Sequence, residues 1–135
     1  MIYTRRTVQR KIIKINEPVL SGELWIFLGY DWENYFKKVE YYLGEQDKVN
    51  GDLDFGCTYF ENRFGLIWIN PEDLGETKDQ KRNILLTINH EICHYVAELL
   101  ESVGAFPNEA QNMEIYIRYV DFFLAETIKR AKLKI

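Results

Sequence analysis

Two histidines, the only ones in this 135-residue chain, stand four apart in His90-Glu91-Ile92-Cys93-His94. That spacing puts both imidazoles on one face if the segment is helical, and scatters them if it is not. The flanking pattern favours the helix: Leu85, Ile88, Ile92, Val96, Leu99 and Val103 recur every three or four residues from near Lys81 to about Ser102. Both histidines lie two residues from Ile92, about 200° around the helix, so they project away from the stripe that must be buried. Any fold for this chain therefore needs one long helix with a core face and a separate histidine face.

Two imidazoles on one turn are two thirds of a catalytic zinc site, since Zn²⁺ in such sites takes three protein ligands and keeps one open position for water. Glu91, next to the first histidine, points near such a metal but not at it, which suits a general base. The third ligand has several acidic candidates downstream. Glu98 and Glu101 lie further along the same helix and cannot easily converge. Glu109 opens the next helix on the face of Met113, Tyr116, Ile117, Val120 and Leu124, an apolar stripe expected to pack inward, where a carboxylate needs a partner. Glu114 shares its face with Arg118 and Asp121 and reads as solvated, which leaves it the reserve choice.

Composition bounds the rest. A chain this long with 47% hydrophobic and 15% aromatic residues can bury a core without staples, and reads as one domain over residues 1–135. A net charge of −4 argues against a nucleic-acid surface, and the basic flanks (Arg5, Arg6, Arg10, Lys11 and Lys14; Lys129, Arg130, Lys132 and Lys134) read as solvated. No signal-peptide pattern and no run of eighteen apolar residues is present, so a cytoplasmic protein with no membrane partner is expected, with Cys57 and Cys93 as reduced thiols.

Taken in order, residues 7–15 and Leu24 to Leu28 read as strands, and Asp31 as the N-cap of a helix over Trp32 to Leu43 that Gly44 closes. Residues 55–60 and 65–70 form a hairpin around Glu61-Asn62-Arg63-Phe64. Gly104 ends the motif helix. Asn108 then caps the last helix, with Gln111 as capping-box partner, out to about Lys132. The expected fold class is α+β: a small mixed or antiparallel sheet packed on an N-terminal helix, the motif helix and a C-terminal helix that carries Glu109.

H-E-x-x-H followed by Asn108-Glu109-Ala110 at the next helix resembles the gluzincin zinc metallopeptidases, and at this size the minimal ones of the ImmA/IrrE type found in phage and mobile elements. The resemblance covers roughly residues 55–130 and implies a zincin-like fold, His90, His94 and Glu109 as zinc ligands and Glu91 as base. It also implies a metalloendopeptidase that holds an extended protein or peptide substrate along the strand before the motif helix, here Leu66, Ile67, Trp68 and Ile69. The acid that often follows the ligand glutamate by four residues is replaced by Met113, and with no third histidine the oxyanion donor falls to a tyrosine, Tyr116 or Tyr59. Two alternatives stand beside this reading. One is a deformylase-like hydrolase using Cys57 in Asp54-Phe55-Gly56-Cys57-Thr58, and the other a non-catalytic or inhibitory binding protein on the same scaffold.

Overall fold

In the computed structural model, residues 9–44, 56–71 and 77–132 are described. Four strands and three helices follow one another as β1 (Lys11–Glu17), β2 (Gly22–Leu28), α1 (Trp32–Leu43), β3 (Gly56–Glu61), β4 (Phe64–Ile69), α2 (Thr77–Glu101) and α3 (Met113–Ala131). The fold is mixed α and β, and the sheet is mixed, in the order β1-β2-β4-β3. β1–β2 and β3–β4 are antiparallel hairpins, and the two are joined by the parallel pair β2–β4.

Alternation along the strands feeds two cores. Ile13, Ile15, Leu24, Ile26, Leu28, Ile67 and Ile69 point to the face covered by α2 and α3. Phe27, Leu66 and Trp68, with Ile12, Trp25 and Phe64 at their margin, point to the other face, where Tyr35 and Val39 of α1 close over them. The near-continuous apolar run Leu66-Ile67-Trp68-Ile69 follows from this, because a central strand covered on both faces has no polar side.

Local chemistry fixes the turns. Asp31 caps α1 by accepting from the Asn34 backbone N–H at 2.8 Å, and Gly44 ends the helix at φ 83°. The buried Glu17 carboxylate accepts the backbone N–H groups of Val19 and Leu20, each at 2.7 Å, and so shapes the β1–β2 turn. In the β3–β4 turn both Asn62 and Arg63 have positive φ, 51° and 67°, the handedness a two-residue hairpin requires.

The described basic flank residues are exposed as expected, apart from the half-buried Lys11, and some of them also rest on neighbouring groups. Lys14 Nζ lies 4.2 Å from the centroid of the Trp25 ring and Arg10 stacks over Tyr30, while Arg130 donates to the Lys14 carbonyl at 3.1 Å. Arg5, Arg6 and Lys134 lie outside the described residues. Among the described residues no helix is long and apolar enough to cross a membrane.

Candidate metal centre

α2 carries the motif, and its buried face is Ile84, Ile88, Glu91, Ile92, Tyr95, Val96, Leu99 and Leu100. Relative to the expected stripe the helix is rotated slightly. Leu85 is only half-buried and Val103 lies beyond the helix end, 39% exposed, because Tyr95 rather than an aliphatic residue fills the centre of the interface. Tyr95 fits there because Gly65 and Gly22 leave room for it: a Cβ on Gly65 would stand 2.3 Å from the Tyr95 ring, and one on Gly22 2.8 Å from its hydroxyl.

His90 and His94 are exposed on the opposite side, with Nε2 atoms 3.2 Å apart and ring planes at 75°. Zn–N bonds of about 2.0–2.1 Å in tetrahedral geometry set two nitrogen ligands about 3.3–3.4 Å apart. The pair thus has the edge length of a tetrahedral zinc site. Glu91 is buried, only 8% exposed, with one carboxylate oxygen 4.0 Å from His90 Nε2. The motif therefore places an acid under the rim of the imidazole pair, beside it and not in it.

The third ligand is not gathered with this edge. Among the described residues no three of His, Cys, Asp and Glu stand close enough to hold a metal ion. Glu109 is exposed, precedes a 3-10 turn (Ala110–Asn112) and accepts from Gln111 Nε2 at 3.1 Å. The expected inward stripe explains the difference. α3 begins at Met113, four residues later than a cap at Asn108 implies, and its buried face is Val120, Phe123, Thr127 and Ala131. Met113 and Ile117 are 55% and 46% exposed. Gln111 turns to Glu109, so the capping box at Asn108 does not form. Glu114, the reserve, is ion-paired to Arg118 at 3.3 Å on the surface.

Tyr116 is half-buried between α2 and α3 and donates to the Cys93 carbonyl at 3.5 Å. Burial, and then a side-chain hydrogen bond with the Cys93 thiol, pushes its phenol up to about 12. Its hydroxyl ties the two helices together and is engaged away from the imidazoles. Cys93 is a free, half-buried thiol on the α3 side of α2, consistent with a packing role. The side chains of Tyr59 and Cys57, both on β3, lie outside the described residues.

The substrate strand needs correction. Leu66, Ile67, Trp68 and Ile69 lie on β4, which is hydrogen-bonded on both sides, to β2 and to β3, and has no free edge for a peptide. Among the described residues the strand on that side with an unpaired edge is β3, which packs beneath α2.

One feature was not singled out from the sequence. Charge is unevenly spread along the exposed side of α2, with Lys78, Lys81 and Arg82, the last ion-paired to Asp79 at 3.6 Å, before the histidines and Glu98 and Glu101 after them. The signal was present in the order of the charges along the helix, with cations before His90 and acids after His94.

Comparison with protein-family models, with curated proteins and with solved structures returns no match. The reading of function therefore rests on the residues of the site.

Proposed function

We propose that this chain is a zinc-dependent metalloendopeptidase, a hydrolase of peptide bonds in a specific protein substrate. The observation that supports it is the His90–His94 edge, 3.2 Å between Nε2 atoms, with the Glu91 carboxylate beside it. On this reading His90 and His94 hold the metal, and Glu109, with Glu114 as second choice, is the third ligand. Bound zinc would supply Lewis-acid polarisation and lower the pKa of a water. Glu91 takes the proton of the attacking water and passes it to the leaving amine, for which its sheltered position beside the pair is suited. The substrate backbone adds to the sheet along β3, whose outer edge is unpaired among the described residues.

The test pairs metal content with cleavage. Glu91→Gln keeps its zinc and loses zinc-dependent proteolysis of a mixed protein extract by at least about a hundredfold. Cleavage that is unchanged in Glu91→Gln, or that survives removal of the metal, rejects the reading.

A second reading, a binding or inhibitory protein on the same scaffold, is favoured by one observation: the His90 side chain is 69% exposed and the third ligand stands apart. It predicts biological activity that is unaffected by Glu91→Gln. The deformylase-like reading draws no support from the described residues, because the Cys57 side chain is outside them.

A further inference from the structure

We propose that the sheet face opposite the histidine pair carries a binding strip for single-stranded nucleic acid, formed where β1 and β2 run past one flank of α1. The strip shares no residue with the metal reading above and does not depend on it.

A continuous row of rings is the first observation. Tyr41 meets Tyr42, Tyr42 meets Trp25 and Trp25 meets Phe64, each pair edge to face, with centroids 5.1, 5.0 and 5.2 Å apart. The Trp25 indole is fixed by its Nε1–H, which donates to Glu23 at 2.9 Å. Trp25 and Phe64 are half-buried, Tyr42 is 40% exposed and Tyr41 79%, so the row climbs from the sheet to a ring that stands open to solvent. Packing accounts for the inner rings but not for Tyr41.

Cations run beside the same row. Lys14 Nζ lies 4.2 Å from the Trp25 centroid and 4.9 Å from that of Tyr42, Lys38 Nζ lies 5.9 Å from that of Tyr41, and Arg10 lies over Tyr30 at 5.4 Å. A ring face holds a cation in place without neutralising it. Among the described residues Arg10, Lys14, Lys37 and Lys38 make no ion pair, whereas Arg82, Arg118 and Arg130 each pair with an acid one turn away.

The flanks of α1 are also sorted by charge. Trp32 rests on Trp68 of β4 and Tyr42 on Trp25 of β2, which gives the helix a β4 side and a β1 side. At 100° per residue Lys38 and Tyr41 fall on the β1 side with Tyr42, Lys37 points outward, and Glu33 and Glu40 fall on the β4 side. The acids nearest the strip are already engaged, Glu23 by the indole and Asp31 by the start of α1. The net charge of −4 is a sum over the whole chain and does not set the sign of one groove.

Unpaired cations along a row of rings match a single strand, whose phosphates take the cations and whose bases stack on an open ring. An acidic peptide would use the cations alone and leave Tyr41 idle. The experiment is therefore fluorescence anisotropy of a labelled oligothymidine of about ten nucleotides, titrated with the full chain over a range of salt. The expected result is binding whose logarithm falls with that of salt at a slope of about −2 to −3, as three or four phosphate contacts require. Tyr41→Ala weakens it about tenfold and Tyr41→Trp restores it, while Lys14→Glu with Lys38→Glu weakens it at least about tenfold. Lys81→Glu with Lys129→Glu, the same change in net charge on the other face of the molecule, leaves it unchanged. Circular dichroism confirms that each variant is folded, and Tyr41, being exposed, keeps the test open if Lys14→Glu does not fold. Absence of binding overturns the proposal, as does an equal loss in the Lys81 and Lys129 variant. So does full affinity in Tyr41→Ala together with equal competition by oligoglutamate, which would mark the strip as a site for acidic protein.

Discussion

Tyr95, the residue after the second motif histidine, donates its hydroxyl to the Arg63 carbonyl at 3.0 Å. Arg63 sits at the β3–β4 turn with φ 67°, and the same carbonyl accepts the backbone N–H of Glu23 on β2. One strained turn residue thus joins the motif helix, the hairpin and the neighbouring strand. The bare Cα of Gly65 is what lets the Tyr95 ring lie flat enough to reach it.

That arrangement predicts a graded loss of stability. Tyr95→Phe removes one hydrogen bond while the Arg63 carbonyl keeps another, a cost of about 1 kcal/mol. Gly65→Ala forces a methyl into the ring and costs about 1–3 kcal/mol or more. Urea unfolding followed by circular dichroism should show both midpoints falling in that order, with unchanged slope; a neutral Gly65→Ala would mean the ring does not occupy that seat.

The α1 face makes a second prediction. Trp68 Nε1 donates to the Tyr30 carbonyl at 2.8 Å in a buried setting, and its ring packs edge-on against Trp32, with centroids 5.2 Å apart. Trp68→Phe keeps an aromatic ring but leaves that carbonyl unpaired, at a cost of about 1–3 kcal/mol. Trp68→Leu should cost more, since the ring contacts go as well, and comparing the two midpoints separates bond from packing.

The third concerns alkaline pH. Tyr116 ionises near 12 in the folded chain against 10.0 for a free phenol. Between those values the folded state holds a proton that the unfolded state has lost. The stabilisation is therefore complete below about pH 10 and falls away as pH rises towards 12. Tyr95 and Tyr119 also titrate late, so tyrosinate absorbance across this window should show a late-titrating component that shrinks by one tyrosine in Tyr116→Phe. A wild-type titration indistinguishable from that of the variant would remove the assignment.

Much of the fold was legible because its signals are local. Asp31, the aromatic spacing of Trp32 to Leu43 and Gly44 fix α1 to the residue, and Asn62-Arg63 marks the hairpin. Strand order was not legible, because nothing within Leu66 to Ile69 distinguishes a buried central strand from one that takes a substrate at its edge. The start of α3 was misplaced for a related reason. A 3-10 turn at Ala110–Asn112 shifts the helical phase, so a wheel drawn from Glu109 assigns Met113 and Ile117 to the core when they are exposed. At the site, the imidazole edge follows from four-residue spacing alone, whereas the place of Glu109 depends on a loop between two helices, which spacing does not determine.

Glu17 makes a final prediction, because one buried carboxylate acts on both structure and titration. It accepts the Val19 and Leu20 amides, and its charge raises the phenol pKa values of Tyr95 and Tyr119, in each case after the larger effect of burial. Glu17→Gln keeps the shape but offers one carbonyl oxygen where two carboxylate oxygens served, leaving one amide without a strong acceptor. A cost of about 1–3 kcal/mol follows. The same change withdraws the negative charge, so Tyr119 should ionise at lower pH than in the wild type, and its raised-pKa contribution to stability should end earlier as pH increases. Thermal unfolding with tyrosinate absorbance on the one variant checks both. A loss of stability with no movement of Tyr119 would show that the carboxylate acts through the turn alone.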